Sequence, residues 1–213
     1  MFMVWKEEAM SKEKYNLLWI DIETTGSDRS KDFLLEVGCF ITDTDLNVWE
    51  GSERNWVIKP FGDDWLKRLI DEPDVLEMHS ANGLIKQVAE SSMTAKMFND
   101  EMTAYIEQMF AEGGKKRFAF AGSGIAHFDR PFLETWIQRH GVEFPWINKK
   151  HFVYYSIDVG ATRRILRDIC GVDVNELTKS LSDSEKKTHR AIDDALMHFE
   201  EAKAYKNYVL DFG

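Results

Sequence analysis

Residues 17–26 read LLWIDIETTG, an apolar run interrupted by two carboxylates one residue apart. Strand side chains alternate between faces, so Asp21 and Glu23 share one side while Leu18, Ile20 and Ile22 occupy the other. One face is therefore built for a core and the other carries two like charges. Such charges repel, and in a dry site one of them would stay protonated. Something positive, or open water, has to face them.

Working outward, two more β-like segments follow at 34–42 (LLEVGCFIT) and 55–59 (NWVIK), after the turn-rich pieces TTGSDRSKD and DTDLN. These connections are short enough for an antiparallel meander. Residues 63–90, charged with scattered apolar positions, predict short helices, and 94–111 places Phe98, Met102, Tyr105 and Met109 at helical spacing before EGG stops it. A strand RFAFAG (117–122) precedes a helix RPFLETWIQRH ended by Gly141. A strand HFVYYSI (151–157) feeds a helix VGATRRILRDIC ended by Gly171, and a last helix covers about 190–208. Strands first and strand–helix alternation afterwards imply one α/β domain with a mixed sheet flanked by helices. The expected domain is 1–213, with its core at about 16–208 and an N-terminal extension at 1–15.

The whole chain sets outer bounds. Its 213 residues, 44% hydrophobic and 30% charged, suit one ordinary folded domain with a sizeable core. Cys39 and Cys170 lack metal-site spacing and read as free thiols of a reducing compartment. Lys6, Glu7 and Glu8 stand where a leader would need its apolar stretch, and no segment is suited to span a membrane, so a cytoplasmic location is expected. The net charge of −10 argues against a binder of long duplexes, which needs a basic footprint to displace counterions. It leaves room for an enzyme that acts on phosphodiesters through few backbone contacts and divalent cations.

Three further stretches carry candidate chemistry. HFDRPFL (127–133) puts Asp129 where a strand gives way to a helix, and SIDVG (156–160) puts Asp158 at a similar junction. THRAIDDA (188–195) puts His189 just before the last helix, with Asp193 and Asp194 in its first turns. Each has a plain structural reading: Asp129 and Asp158 match helix N-caps, and acids near a helix N-terminus are favoured by the dipole. Glu36, odd inside a buried strand, fits a hydrogen bond to nearby backbone as well as it fits catalysis. Periodicity does not choose between Asp193 and Asp194, because both flank the apolar stripe of Ile192, Ala195, Phe199 and Ala202.

IDIETTG, then FD followed by FL, then H-x-x-x-x-D near the C-terminus together resemble the DnaQ-like, DEDDh 3′–5′ exonucleases. FLLEVGCFITD is similar to the family's second strand, MHSANGL (78–84) to its His-x-x-x-Gly helix start, and SIDVG to its strand-to-helix aspartate. The match runs in order from about residue 16 to 205, and the layout is nearest to oligoribonucleases and compact proofreading-type exonucleases. The resemblance implies an RNase H-like fold: a five-stranded mixed sheet, three antiparallel strands then two more, with helices on both faces. It makes Asp21, Glu23, Asp129 and Asp194 the acidic metal-binding positions and His189 the general base. The family's four residues between His and Asp select Asp194 over Asp193.

The implied cofactor is a pair of Mg²⁺ or Mn²⁺ ions, hard cations that prefer carboxylate oxygens, which together clamp attacking and leaving oxygens at a spacing of about 4 Å. By the resemblance Asp21 would bridge both ions, Glu23 and Asp194 would complete one, and Asp129 would act mainly through water. His189 would take the proton of the attacking water, work suited to an imidazole near neutral pH. Thr24, Thr25 and Gly26 would seat the terminal 3′ nucleotide, with His79 beside them. The implied partner is single-stranded or short nucleic acid, with no membrane, the protein acting as monomer or homodimer or in association with a polymerase.

Departures from the family pattern bear on substrate. Ser27 follows the TG where many relatives carry a bulky apolar wedge, Pro73 stands where oligoribonucleases have a tryptophan, and Ser123 and Gly124 replace an upstream HN. Phe33, Phe61, Trp65 and His79 are candidate replacements for stacking on bases. The expected activity is metal-dependent 3′–5′ hydrolysis of single-stranded DNA or RNA to nucleoside 5′-monophosphates. The alternatives are an oligoribonuclease confined to very short RNA, and a nuclease-like binding module without turnover.

Overall fold

The computed structural model describes residues 15–142, 145–179 and 188–212. All but Tyr15 of the expected N-terminal extension lies outside the described residues. Five strands form one sheet: β1 (Asn16–Thr24), β2 (Leu34–Thr42), β3 (Arg54–Val57), β4 (Phe118–Gly122) and β5 (Phe152–Asp158), in the order β3-β2-β1-β4-β5. β1 pairs antiparallel with β2 and parallel with β4, β2 pairs antiparallel with β3, and β4 pairs parallel with β5. The mixed sheet of three antiparallel strands followed by two more is thus present, with its connections in the expected order.

Three short helices, α1 (Asp64–Asp71), α2 (Pro73–Ala81) and α3 (Leu84–Glu90), follow β3, and α4 (Ala95–Glu112) leads into β4. Then come α5 (Asp129–Arg139), α6 (Val159–Arg164), the four-residue α7 (Val174–Leu177) and the long α8 (Ala191–Phe212). Several boundaries differ from expectation: the last helix runs on to Phe212, and two other differences have a local cause. β3 stops at Val57: the Ile58 N–H still donates to the Leu35 carbonyl at 2.8 Å, but the Lys59 N–H turns away to the Met93 carbonyl, also at 2.8 Å. The helix expected to run unbroken to Cys170 instead widens into a π-helical stretch at Ile165–Ile169, which keeps Leu166 in the core while Ile165 and Ile169 stay outside.

The sheet's two faces bury separate cores. On one, Leu18, Ile20 and Ile22 join Val37, Cys39 and Ile41 against Phe98 and Ile106 of α4 and Leu133 of α5. On the other, Trp19 and Phe40 pack against Phe199 of α8, whose ring meets both edge-on at 5.4 Å. Asp21 and Glu23 lie on this second face, beyond the reach of Phe199, where the start of α8 comes down onto the sheet.

Candidate active site

Gly38 decides how close that helix comes. It sits opposite Asp21 in the β1–β2 ladder, and a Cβ built there would lie 2.2 Å from the Ile192 nitrogen and 2.5 Å from the Ala191 carbonyl carbon. Only a residue without a side chain lets the α8 backbone rest on β2. Asp194 is thereby brought to Asp21 and Glu23, and one ligand atom from each of the three lies within 4.8 Å of the others. Asp193 points elsewhere and accepts a hydrogen bond from the Thr188 hydroxyl at 2.7 Å.

Glu36 holds this junction. The residue is fully buried, and its carboxylate accepts from the Ala191 N–H at 3.1 Å and from the Arg190 guanidinium, with Nε at 3.0 Å and Nη2 at 2.5 Å. Asn55 adds a further bond at 2.9 Å, and Arg190 also donates to Gln87 at 2.7 Å. A bidentate arginine–carboxylate pair fixes geometry as well as charge. The backbone bond foreseen for Glu36 is therefore real, and it caps α8. His189 immediately precedes the clamp in a left-handed backbone (φ 49°), its carbonyl held by Asn82 Nδ2 at 2.5 Å. Its side chain is half-buried.

Asp129 begins α5, where its side chain caps nothing: Phe128 is the N-cap residue. The carboxylate, 4% exposed, instead accepts backbone hydrogen bonds from Ile22 on β1 and from its own N–H. The N-cap reading is thus set aside for Asp129 and holds for Asp158, whose Oδ1 accepts from Ala161 N at 3.0 Å and Gly124 N at 3.1 Å.

The TTG turn is shaped from within. Thr24 Oγ1 donates to the Gly26 carbonyl at 2.7 Å, and Thr25 Oγ1 donates to Asp32 at 2.8 Å. Asp32, itself buried, receives Arg68, and a Cβ on Gly26 would lie 2.7 Å from its carboxylate. The two hydroxyls are therefore committed to the turn, which leaves backbone as its outward surface. His79 corrects an expectation. It is fully buried, with Nε2 3.0 Å from the Thr24 carbonyl and 3.8 Å from Glu23, so it supports the turn from beneath and has no face open to a base. Trp65 is buried too, in the small cluster around Leu35. Phe61 stands fully exposed, and Phe33 is half-buried under the Arg139 guanidinium.

Crowding acids in a shielded pocket makes their charged forms costly. Burial first, then Asp129, Glu23 and Asp194, push the Asp21 carboxyl well above its ordinary range. Burial and Asp194 push Glu23 up to about 9, and burial pushes Asp129 up to about 7 despite its backbone hydrogen bonds. Oxygen-only donors with unfavourable negative charge are the donor set that a hard divalent cation fits. Arg190 lowers Glu23 only as a lesser influence, so the positive partner demanded by the sequence is not supplied by that residue.

These shifts predict a pH signature. A folded carboxyl with a raised pKa holds a proton that the unfolded chain has already released. The resulting stability is present below the ordinary carboxylate range and is lost as pH rises through about 7 and about 9. The Tm of EDTA-treated protein should therefore fall between pH 6 and 9, and saturating Mn²⁺ should flatten the fall because a bound cation replaces the protons. Calorimetry in buffers of different ionisation enthalpy should register proton release on Mn²⁺ uptake. A flat metal-free profile without proton release would contradict this electrostatic picture.

A family model described as an exonuclease matches residues 18–202. The mitochondrial oligoribonuclease of Mus musculus is 30% identical over 200 residues, 91% of this chain and 73% of that protein. The oligoribonuclease of Actinobacillus pleuropneumoniae is 28% identical over 203 residues, 95% of this chain and 98% of that protein. Among solved structures, E. coli exonuclease I in complex with a dA16 oligonucleotide superposes with a TM-score of 0.65 at 18% identity, covering 91% of this chain and 41% of that one. The zinc-bound form of an E. coli exonuclease I–ssDNA complex gives 0.63 at 16%, covering 92% of this chain and 41% of that one. This chain thus spans about two fifths of the exonuclease I chains, and that likeness shows the RNase H-like fold. No helix among the described residues is long and apolar enough to cross a membrane. A match across nearly the whole folded region, on a sheet and acidic cluster of this form, means that the chain belongs to the DnaQ-like 3′–5′ exonuclease family.

Proposed function

We propose that this protein is a metal-dependent 3′–5′ exonuclease that hydrolyses single-stranded nucleic acid, DNA or RNA, and releases nucleoside 5′-monophosphates. The observation that carries the proposal is the meeting of Asp21, Glu23 and Asp194, residues distant in sequence, at a pocket whose acids resist ionisation without a cation. Asp21, Glu23 and Asp194 would hold divalent ions, Mg²⁺ or Mn²⁺, and Asp129 would complete the set from the α5 side. Bound there, such ions stabilise negative charge on a reacting phosphate and lower the pKa of water. The chain's own contribution is placement. The backbone of Thr24, Thr25 and Gly26 seats the 3′-terminal nucleotide. His189, presented by Asn82 and the Glu36–Arg190 clamp, accepts the proton of the attacking water. Residues 16–208 would act as one exonuclease domain within the 213-residue chain.

An oligoribonuclease reading is favoured by the relatives that bear that name and match nearly the full chain. It would confine the enzyme to very short RNA. The exposed Ser27 and Pro73, where oligoribonucleases carry other residues, weigh toward a remodelled grip on the terminal base.

The test is Mn²⁺-dependent digestion of 5′-labelled single-stranded DNA, single-stranded RNA and a diribonucleotide. A ladder shortening from the 3′ end supports the general exonuclease. Turnover of the diribonucleotide alone supports the oligoribonuclease. Silence on all three from folded protein would sink both. His189→Ala should lower the rate about 10²- to 10⁴-fold, the usual contribution of a positioned base, with unchanged Mn²⁺ affinity and Tm. Near-normal turnover would remove the base role.

A further inference from the structure

His198 lies one turn beyond Asp194 on the same face of α8, the face on which Ala191 and Ala195 are fully buried against the sheet. Its Nδ1 is 3.9 Å from Asp21 Oδ1, and both side chains are shielded, 12% and 15% exposed. The distance is too long for a direct hydrogen bond, and it makes the two groups immediate neighbours. Neither the strand pattern around Asp21 nor the spacing of the last helix draws attention to this residue.

We infer that His198 is a positioning residue for Asp21: it orients that carboxylate from behind so that its other oxygen is presented to the metal pocket. The inference rests on the metal-dependent reading of the site given above. Asp21 sits on a strand whose register to β2 is fixed, so its backbone has little freedom, but a carboxylate can still turn about its Cβ–Cγ bond. In the crowded pocket, repulsion from Glu23 and Asp194 would turn it away from them. An imidazole nitrogen on the far side offers one preferred orientation, as outer-layer partners of carboxylate ligands do. Glu23 has a comparable neighbour, the buried His79 at 3.8 Å, so the two strand carboxylates are each flanked by an imidazole from a different helix.

The experiment is Mn²⁺ binding, followed by electron paramagnetic resonance and calorimetry on metal-stripped protein, for the wild type, His198→Ala, His198→Asn and Asp21→Asn. The asparagine side chain places an amide N–H near the position of Nδ1. His198→Ala should bind Mn²⁺ about 10- to 100-fold more weakly, His198→Asn should recover most of that loss, and the metal-free Tm of both should match wild type. Wild-type affinity in His198→Ala would overturn the inference. So would an equal loss in both variants accompanied by a lower metal-free Tm, which would mark His198 as a packing residue. A wild-type protein that takes up no Mn²⁺, or that binds it no more tightly than Asp21→Asn does, would instead defeat the metal-dependent reading, and the role of His198 with it.

Discussion

Asp21→Asn should abolish Mn²⁺-dependent hydrolysis while leaving the metal-free protein at least as stable as wild type. The reasoning follows from where the residue stands. Asp21 contributes one of the three mutually close ligand atoms, and its carboxyl is pushed up by burial and by the neighbouring acids Asp129, Glu23, Asp194 and Glu36. An amide keeps the shape, removes the like-charge repulsion and offers a far poorer ligand to a hard cation. Charge stabilisation by such ions is worth several kcal/mol, so the rate should fall roughly a thousandfold or more at about 1.4 kcal/mol per decade. Mn²⁺ should raise the Tm of wild type and not of the variant. Asp193→Asn is the matched control: it leaves the Thr188 hydroxyl an amide oxygen to donate to, in place of a carboxylate, outside the acidic cluster, and should retain rate within about threefold. A reversed order of the two variants would mean that the neighbouring aspartate, not Asp194, belongs to the pocket, and that Asp21 is a structural acid.

Gly38→Ala should cost both stability and activity although the residue touches no substrate. The added methyl meets backbone atoms of Ala191 and Ile192 at 2.2 to 2.5 Å, and backbone cannot rotate aside as a side chain can. The helix start must lift or the sheet must bend. Overpacking of this kind costs about 1–3 kcal/mol, and rigid backbone on one side places the change toward the upper end. The same displacement carries Asp194 away from Asp21 and Glu23 and strains the bond from Ala191 N–H to Glu36. A shift of about 1 Å at a catalytic constellation can lower turnover by about 10²-fold. Thermal melts and Mn²⁺-dependent rates on the same preparation check both. A variant with normal Tm and normal rate would show that α8 does not depend on this contact.

Much of the fold was legible because it follows local periodicities. The strand alternation of 17–23 separates Leu18, Ile20 and Ile22 from Asp21 and Glu23, and both sets lie where that alternation puts them. Gly141 and Gly171 follow helical segments as expected, and the Phe98–Met109 stripe is buried on one side of α4. The π-helical stretch after α6 was not legible, since the widening depends on which residue of Ile165, Leu166 and Ile169 finds a core to enter. His79 carried a motif that suggested substrate, yet three-dimensional packing placed it beneath the turn.

By itself, then, the sequence determined the element order and the faces of β1, because these depend on periods of two and 3.6, and its ordered series of motifs named Asp21, Glu23 and Asp194, which the structure brings together. Tertiary structure alone decided what joins them. Gly38 reads as an unremarkable strand glycine until α8 is laid across it, and Glu36 reads as a misplaced charge until Arg190, more than a hundred and fifty residues later, closes on it. His198 carries no local signal, and its proximity to Asp21 exists only because the helix rests directly on the sheet. The physical reason is common to all three. Spacing along the chain encodes direction relative to a local axis, whereas a pocket that must hold several negative charges depends on the distance between two elements, and that distance is set by packing.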